Sequence, residues 1–204
     1  MSGRNIPRFS KQQHTIHLSS RKLGRAVRVE SFAELLYAYQ YEFDTNVKQY
    51  ESQPASFNIM VGDRERRYTP DFLVEMHDGT ARYVEVHRLN SNDEDYEEKL
   101  AEFLKLAVAS GWEFDRVEAR KIELPEQIFL QNCARINSVR TLHLPESIET
   151  LPFPPEISYG DLISFLEKYS SSPVRDAMAL LAKGVYQIPH QDLVTSVMLI
   201  RGDV

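Results

Sequence analysis

The sequence predicts an α/β fold: a mixed β-sheet flanked by helices, followed by a small helical region that ends in a β-hairpin. Three observations predict it. From residue 31 to 119 the apolar pattern runs helix, strands, helix, strand. Two turn signals, Gly62-Asp63 and Asp78-Gly79, divide the strand stretch into a three-stranded meander. A helical crossover then joins the third strand to a fourth, which makes those two parallel.

Each element has its own signal. Ala26–Val29 is a short strand. Ser31 stands as an N-cap with Glu34 three residues on, a capping-box spacing, and Phe32, Leu35, Leu36, Tyr39 and Phe43 recur at helical spacing. Val47–Gln53 is extended and closed by Pro54. Ser56–Val61 and Arg67–Met76 are the first two strands of the meander, with Pro70 near the start of the second, where a missing N–H is tolerable. Ala81–Leu89 is the third strand, with Tyr83, Glu85 and His87 on one face. Ser91–Asp95 supplies caps for a helix from about Asp93 to Ala109, which Gly111 ends. Trp112–Ala119 is the parallel strand.

Beyond residue 122 the pattern changes. Pro125–Val139 is helical, Pro145–Pro155 holds four prolines and is irregular, and Tyr159–Tyr169 and Pro173–Ala182 are helices. Pro173 takes a first-turn position after Ser171 or Ser172, and Gly184 is a C-cap. Val185–Ile188 and Thr195–Ile200 form the closing hairpin, which makes the region winged-helix-like. The domains expected are a basic flexible arm over 1–29, an α/β domain over 30–122, and a partner- or DNA-binding region over 123–204.

Composition narrows the class. Of 204 residues, 42% are hydrophobic and 26% charged, which is ordinary globular usage. No apolar run is long enough to span a membrane, and no secretory signal is visible. The single cysteine, Cys133, excludes an internal disulfide and a multi-cysteine zinc site. A soluble, cytoplasmic protein is expected. The net charge of −6 hides an asymmetry: residues 1–29 hold seven cations (Arg4, Arg8, Lys11, Arg21, Lys22, Arg25, Arg28) and no acid. An acidic body with a basic arm suits a polyanion such as DNA, and a solvated leader would carry the same run.

The chemistry concentrates at Thr69-Pro70-Asp71-Phe72 and Val84-Glu85-Val86-His87. The Asp78-Gly79 turn pairs the two strands, which brings Asp71 beside Glu85 and puts Glu85 and His87 on one face. Two converging carboxylates repel, and a hard divalent cation, Mg²⁺ or Mn²⁺, removes that penalty. Such an ion polarises a phosphodiester and lowers the pKa of an attacking water. Glu34 can add a third carboxylate or serve only as the partner of Ser31 in its cap. Other candidates are weaker: His14 and His17 three apart in the arm, Gln53 as a strand-edge amide, the charged turn Arg64 to Arg67, a buried Cys133, and Tyr37, Tyr39 and Tyr41 as core packing or base-stacking groups.

The ordered series Ser31-Phe32-Ala33-Glu34, Tyr41-Glu42-Phe43-Asp44 with Val47, Glu51-Ser52-Gln53-Pro54, Arg67-Tyr68-Thr69-Pro70-Asp71-Phe72-Leu73-Val74, Asp78-Gly79 and Val84-Glu85-Val86 resembles the PD-(D/E)xK nuclease core, and within it the TnsA-type endonuclease subunit of heteromeric DNA transposases. The resemblance covers about residues 20–122. It implies a restriction-endonuclease-like sheet and a Mg²⁺- or Mn²⁺-dependent cut at the 5′ ends of a mobile element. It also implies work on double-stranded DNA with a DDE-type transposase and an AAA+ regulator. The family's acidic metal ligands map onto Glu34, Asp71 and Glu85, and the basic run supplies Arg21, Lys22, Arg25 and Arg28 as DNA contacts. His87 stands where the family places a lysine. It can replace that lysine, Lys99 of the next helix can swing in, or the site is weakened and the subunit is a DNA- and partner-binding scaffold. A restriction or repair nuclease acting alone would share the same site.

Overall fold

A computed structural model describes residues 15–88, 94–119, 123–139 and 143–202. The arm residues Arg4, Arg8, Lys11 and His14, and the expected caps Ser91 to Asp93, lie outside the described residues.

The chain opens on a hairpin of β1 (Ile16–Ser20) and β2 (Arg25–Val29), which corrects the expectation of a flexible arm for this stretch. Two cross-strand apolar pairs account for it. Ile16 opposes Val29 and Leu18 opposes Val27, and Leu18, Val27 and Val29 are buried against the next helix and the central sheet. That helix, α1 (Phe32–Phe43), starts where its cap predicts: the Ser31 hydroxyl accepts the Glu34 N–H at 3.1 Å. At its other end the Lys22 ammonium donates to the carbonyls of Asp44 and Val47, a cation placed on the negative end of the helix.

The strands divide differently from the expected meander. β3 (Val47–Ser52) is followed by a separate hairpin of β4 (Phe57–Val61) and β5 (Arg64–Tyr68), and only then by β6 (Phe72–Met76) and β7 (Ala81–Arg88). Arg67–Met76 is therefore two strands in two sheets. The chain leaves strand geometry at Thr69 and Pro70, because proline has no N–H to continue a ladder. Gly79 adopts φ +90° in the β6–β7 turn, and the Asp78 carboxylate accepts the Thr80 N–H at 2.9 Å, which fixes the register. After α2 (Glu94–Ser110), which ends at Gly111 with φ +71°, β8 (Glu113–Ala119) runs parallel to β7 as expected of a crossover. The central sheet has the order β3-β6-β7-β8. One face packs Tyr50, Phe72, Val74 and Val84 against α1 and the β1–β2 hairpin. The other is covered by α2 and the β4–β5 hairpin through Ile59, Tyr68, Leu100 and Phe103.

The remaining residues build a second core. It comprises α3 (Leu124–Val139), a short α4 (Glu146–Glu149), β9 (Glu156–Ser158), α5 (Tyr159–Leu166), α6 (Pro173–Ala182) and β10 (Met198–Ile200), packed around Ile136, Ile148, Leu162, Leu166 and Leu180. Pro173 sits at the helix start, but Ser172 makes no side-chain cap bond. The expected closing hairpin is corrected: β10 pairs with β9, and the 185–188 segment meets the C-terminal strand only at a single bridge, Tyr186 to Arg201. Asn132 of α3 holds the intervening loop, donating to the carbonyls of Pro189 and Asp192 and accepting the Val194 N–H. Among the described residues, no helix is long and apolar enough to cross a membrane.

One buried carboxylate ties the first layer together. Glu42 is fully buried and accepts from the Ser20 hydroxyl (2.7 Å), the Arg21 N–H (3.0 Å) and the Tyr50 hydroxyl (3.0 Å), linking the β1–β2 hairpin, α1 and β3. Removing it strands three donors, so Glu42→Ala is expected to cost about 3 kcal/mol. A urea unfolding midpoint close to wild type would overturn this account.

Candidate active site

The β6–β7 register decides where the acidic groups stand. Phe72 opposes Val84, so the next pair outward is Asp71 with Glu85. The ladder stops there, and the Asp71 side chain replaces the missing backbone bond: its Oδ2 accepts the Val86 N–H at 2.7 Å. On the other side the Asp71 carbonyl accepts the Gln53 N–H at 2.8 Å. Gln53 holds φ +49° to do so, the only non-glycine residue with positive φ among those described. Gln53 thus acts through its backbone, anchoring the segment that carries Asp71.

Glu85 is only 8% exposed and faces α2. Both of its oxygens are engaged: Tyr68 donates to Oε2 at 2.7 Å and Tyr96 to Oε1 at 3.0 Å. Two residues on along the strand, His87 is equally buried, with its ring stacked on Tyr96 at 4.7 Å and 11°. Its Nε2 lies 3.8 Å from Glu97, a carboxylate that Arg116 of β8 grips with two N–H groups at 2.9 and 2.8 Å. Sequence reasoning missed Tyr68, Tyr96 and Arg116 as neighbours of the site. They come from three separate elements, and only the β7–β8 register, which sets Arg116 beside Glu85, could have hinted at one of them.

Glu34 is also 8% exposed. Its carboxylate folds back on its own helix start, accepting the Glu30 N–H at 2.8 Å and the Ser31 hydroxyl at 2.7 Å. It is nonetheless near enough to disfavour ionisation of both Asp71 and Glu85. Burial first, then the Glu85 charge, push the half-buried Asp71 carboxyl up to about 8; the Val86 N–H opposes this and Glu34 and Glu30 add to it. Burial also raises Glu85, against the two tyrosine hydrogen bonds. The donor set is all oxygen at its centre, which suits a hard divalent cation. Among the described residues, however, no group of three or more His, Cys, Asp or Glu side chains is arranged to hold a metal ion. The cap bonds of Glu34 are a physical reason: that carboxylate is turned toward Glu30 and Ser31.

The other candidates stand as follows. Lys99 is ion-paired with Asp95 one turn back on α2. Lys22 caps α1, Arg25 pairs with Glu51 at 2.8 Å, and Arg28 stands 3.6 Å from Glu30. His17 lies on strand β1, and His14 is outside the described residues. Cys133 is buried and its thiol is pushed up by desolvation. Tyr39 and Tyr41 pack on Phe43 and on Tyr50 and Phe72, which is core packing.

A four-stranded mixed sheet with helices on both faces and two carboxylates at the break of its central hairpin defines a restriction-endonuclease-like fold. Residues 44–118 match the family model described as TnsA-like endonuclease N terminal. The match takes in Asp71, Glu85 and His87 and begins after Glu34. No curated protein matches the chain.

The acid–base consequence is testable. Asp71 binds its proton more tightly when folded, so its contribution to metal-free stability is full below its ordinary value of 3.8 and is lost as pH rises through about 8. Asp71→Asn keeps an acceptor for the Val86 N–H and removes the charge. Its unfolding free energy is expected to match wild type near pH 4 and to exceed it at pH 8, by on the order of a few kcal/mol. Parallel stability curves from pH 4 to 9 would contradict the assignment.

Proposed function

We propose that this chain is a metal-dependent DNA endonuclease subunit of a transposase, hydrolysing phosphodiesters at the 5′ ends of a mobile element. It would act on double-stranded DNA beside a DDE-type transposase and an AAA+ regulator. The observation that carries the reading is the Asp71–Glu85 pair, two carboxylates forced together at a half-buried strand break with Glu34 close by. A site that holds Asp71 partly protonated in the metal-free state gains most from a cation.

Asp71, Glu85 and Glu34 are the residues that would hold Mg²⁺ or Mn²⁺. When bound, the ion would supply an activated water and neutralise charge on the scissile phosphate. The protein's own part is orientation. The Val86 N–H fixes Asp71, and Tyr68 and Tyr96 fix Glu85. His87 occupies the place of the expected lysine, with its Nε2 3.8 Å from Glu97. Arg25 and Arg28 of β2 are exposed and are the DNA contacts we favour from the basic run; Arg21 and Lys22 lie in the β1–β2 turn, with Lys22 already held at the end of α1. A scaffold reading draws on two facts: the Glu34 carboxylate is engaged by its cap, and Lys99 is ion-paired with Asp95.

Cleavage of transposon-end DNA, assayed with the partner subunits present, tests the proposal. Asp71→Ala and Glu85→Gln are expected to abolish 5′ cleavage while the protein remains folded. Activity at the wild-type level in either would refute the site. His87→Lys is expected to keep or raise activity, whereas a complete loss would assign histidine-specific chemistry. Calorimetric titration with Mg²⁺ separates the readings: binding that Asp71→Ala removes supports the nuclease, and no binding even with DNA present supports the scaffold.

A further inference from the structure

We propose that Tyr96 is a positioning residue that sets Glu85 and His87 in one fixed arrangement, a role that rests on reading Glu85 as a metal ligand. Two contacts of different kinds meet on this side chain. Its hydroxyl donates to Glu85 Oε1 at 3.0 Å, and its ring lies flat on the His87 imidazole at 4.7 Å and 11°. Tyr68 holds the opposite oxygen at 2.7 Å, so the Glu85 carboxylate is gripped at both ends and cannot rotate. A carboxylate offers about four acceptor sites, and the two tyrosine hydroxyls and the Asp71 backbone N–H take three, which leaves Glu85 able to bind a cation in that orientation.

The tyrosine is itself braced. It stands in the first turn of α2, next to Glu97, and Arg116 chelates Glu97 while its guanidinium lies 6.0 Å from the Tyr96 ring centroid. The stack on His87 and the packing of Tyr96 against the α2 core need only an aromatic ring. A phenylalanine would satisfy both. The hydroxyl is therefore the part that packing does not explain, and its partner is Glu85. Partners of this kind order a ligand before the ion arrives, and their loss typically weakens metal affinity.

Calorimetric titration of Mn²⁺ onto the full chain tests this with four proteins: wild type, Tyr96→Phe, Tyr96→Leu and Glu85→Gln. Tyr96→Phe is expected to weaken Mn²⁺ binding about tenfold. Its unfolding midpoint should fall by no more than about 4 °C, the equivalent of one hydrogen bond in a chain of this size. Tyr96→Leu, which also removes the stack, should lose affinity and stability together. Affinity of Tyr96→Phe within about twofold of wild type, while Glu85→Gln no longer binds, overturns the positioning role alone. Wild-type binding by Glu85→Gln removes Glu85 from the metal site, and the positioning role falls with it.

Discussion

Proline at position 70 separates two strands and makes the chain change sheets. Before it, β5 belongs to a peripheral hairpin; after it, β6 enters the centre of the fold. The residue that follows cannot complete a ladder pair, so the Asp71 carboxylate turns inward and takes the Val86 N–H in place of a backbone carbonyl. Every other feature of the candidate site is arranged around that bond. It brings a second carboxylate next to Glu85 at a depth where water cannot screen the pair well. The tension between them is resolved in the metal-free molecule by a retained proton on Asp71 and by hydroxyl donors on Glu85.

Much of this was legible in the residues. The Asp78-Gly79 turn fixes a register by itself, and the opposition of Asp71 and Glu85 follows by counting outward from it. The Ser31–Glu34 cap, the first-turn Pro173 and the crossover that makes β8 parallel are likewise local signals, each with one structural outcome. What was not legible is non-local. Nothing in the run from Arg64 to Met76 marks which strands share a ladder. The β1–β2 hairpin is specified by two apolar cross-strand pairs among polar and basic neighbours, so its charge reads more loudly than its apolar pattern. The closing strands are three residues long, and β9 and β10 pair across some forty residues of intervening chain.

The site shows the same division. Glu34, Asp71, Glu85 and His87 stand out by motif. Tyr68 and Tyr96 read as ordinary aromatic core residues until the hairpin and α2 fold over the sheet and aim both hydroxyls at one carboxylate. Lys99 offers the reverse lesson. A lysine at plausible reach in sequence is held by the acid one turn behind it, as helix geometry favours. Glu34 keeps both of its readings in one side chain: it completes its cap, and it still raises the cost of ionising Asp71 and Glu85.

Helix α1 bears Glu34 at its first turn, and its later turns bury Tyr39 against Phe129 and Cys133 of α3. Twelve residues of α-helix form a rod of about 18 Å that bends little. The C-terminal core therefore grips the far end of the same rod whose near end faces the acidic pair. A tilt of α3, from whatever cause, would be transmitted along that lever as a displacement of the Glu34 carboxylate. The two cores are in this sense a handle and a blade that meet on α1.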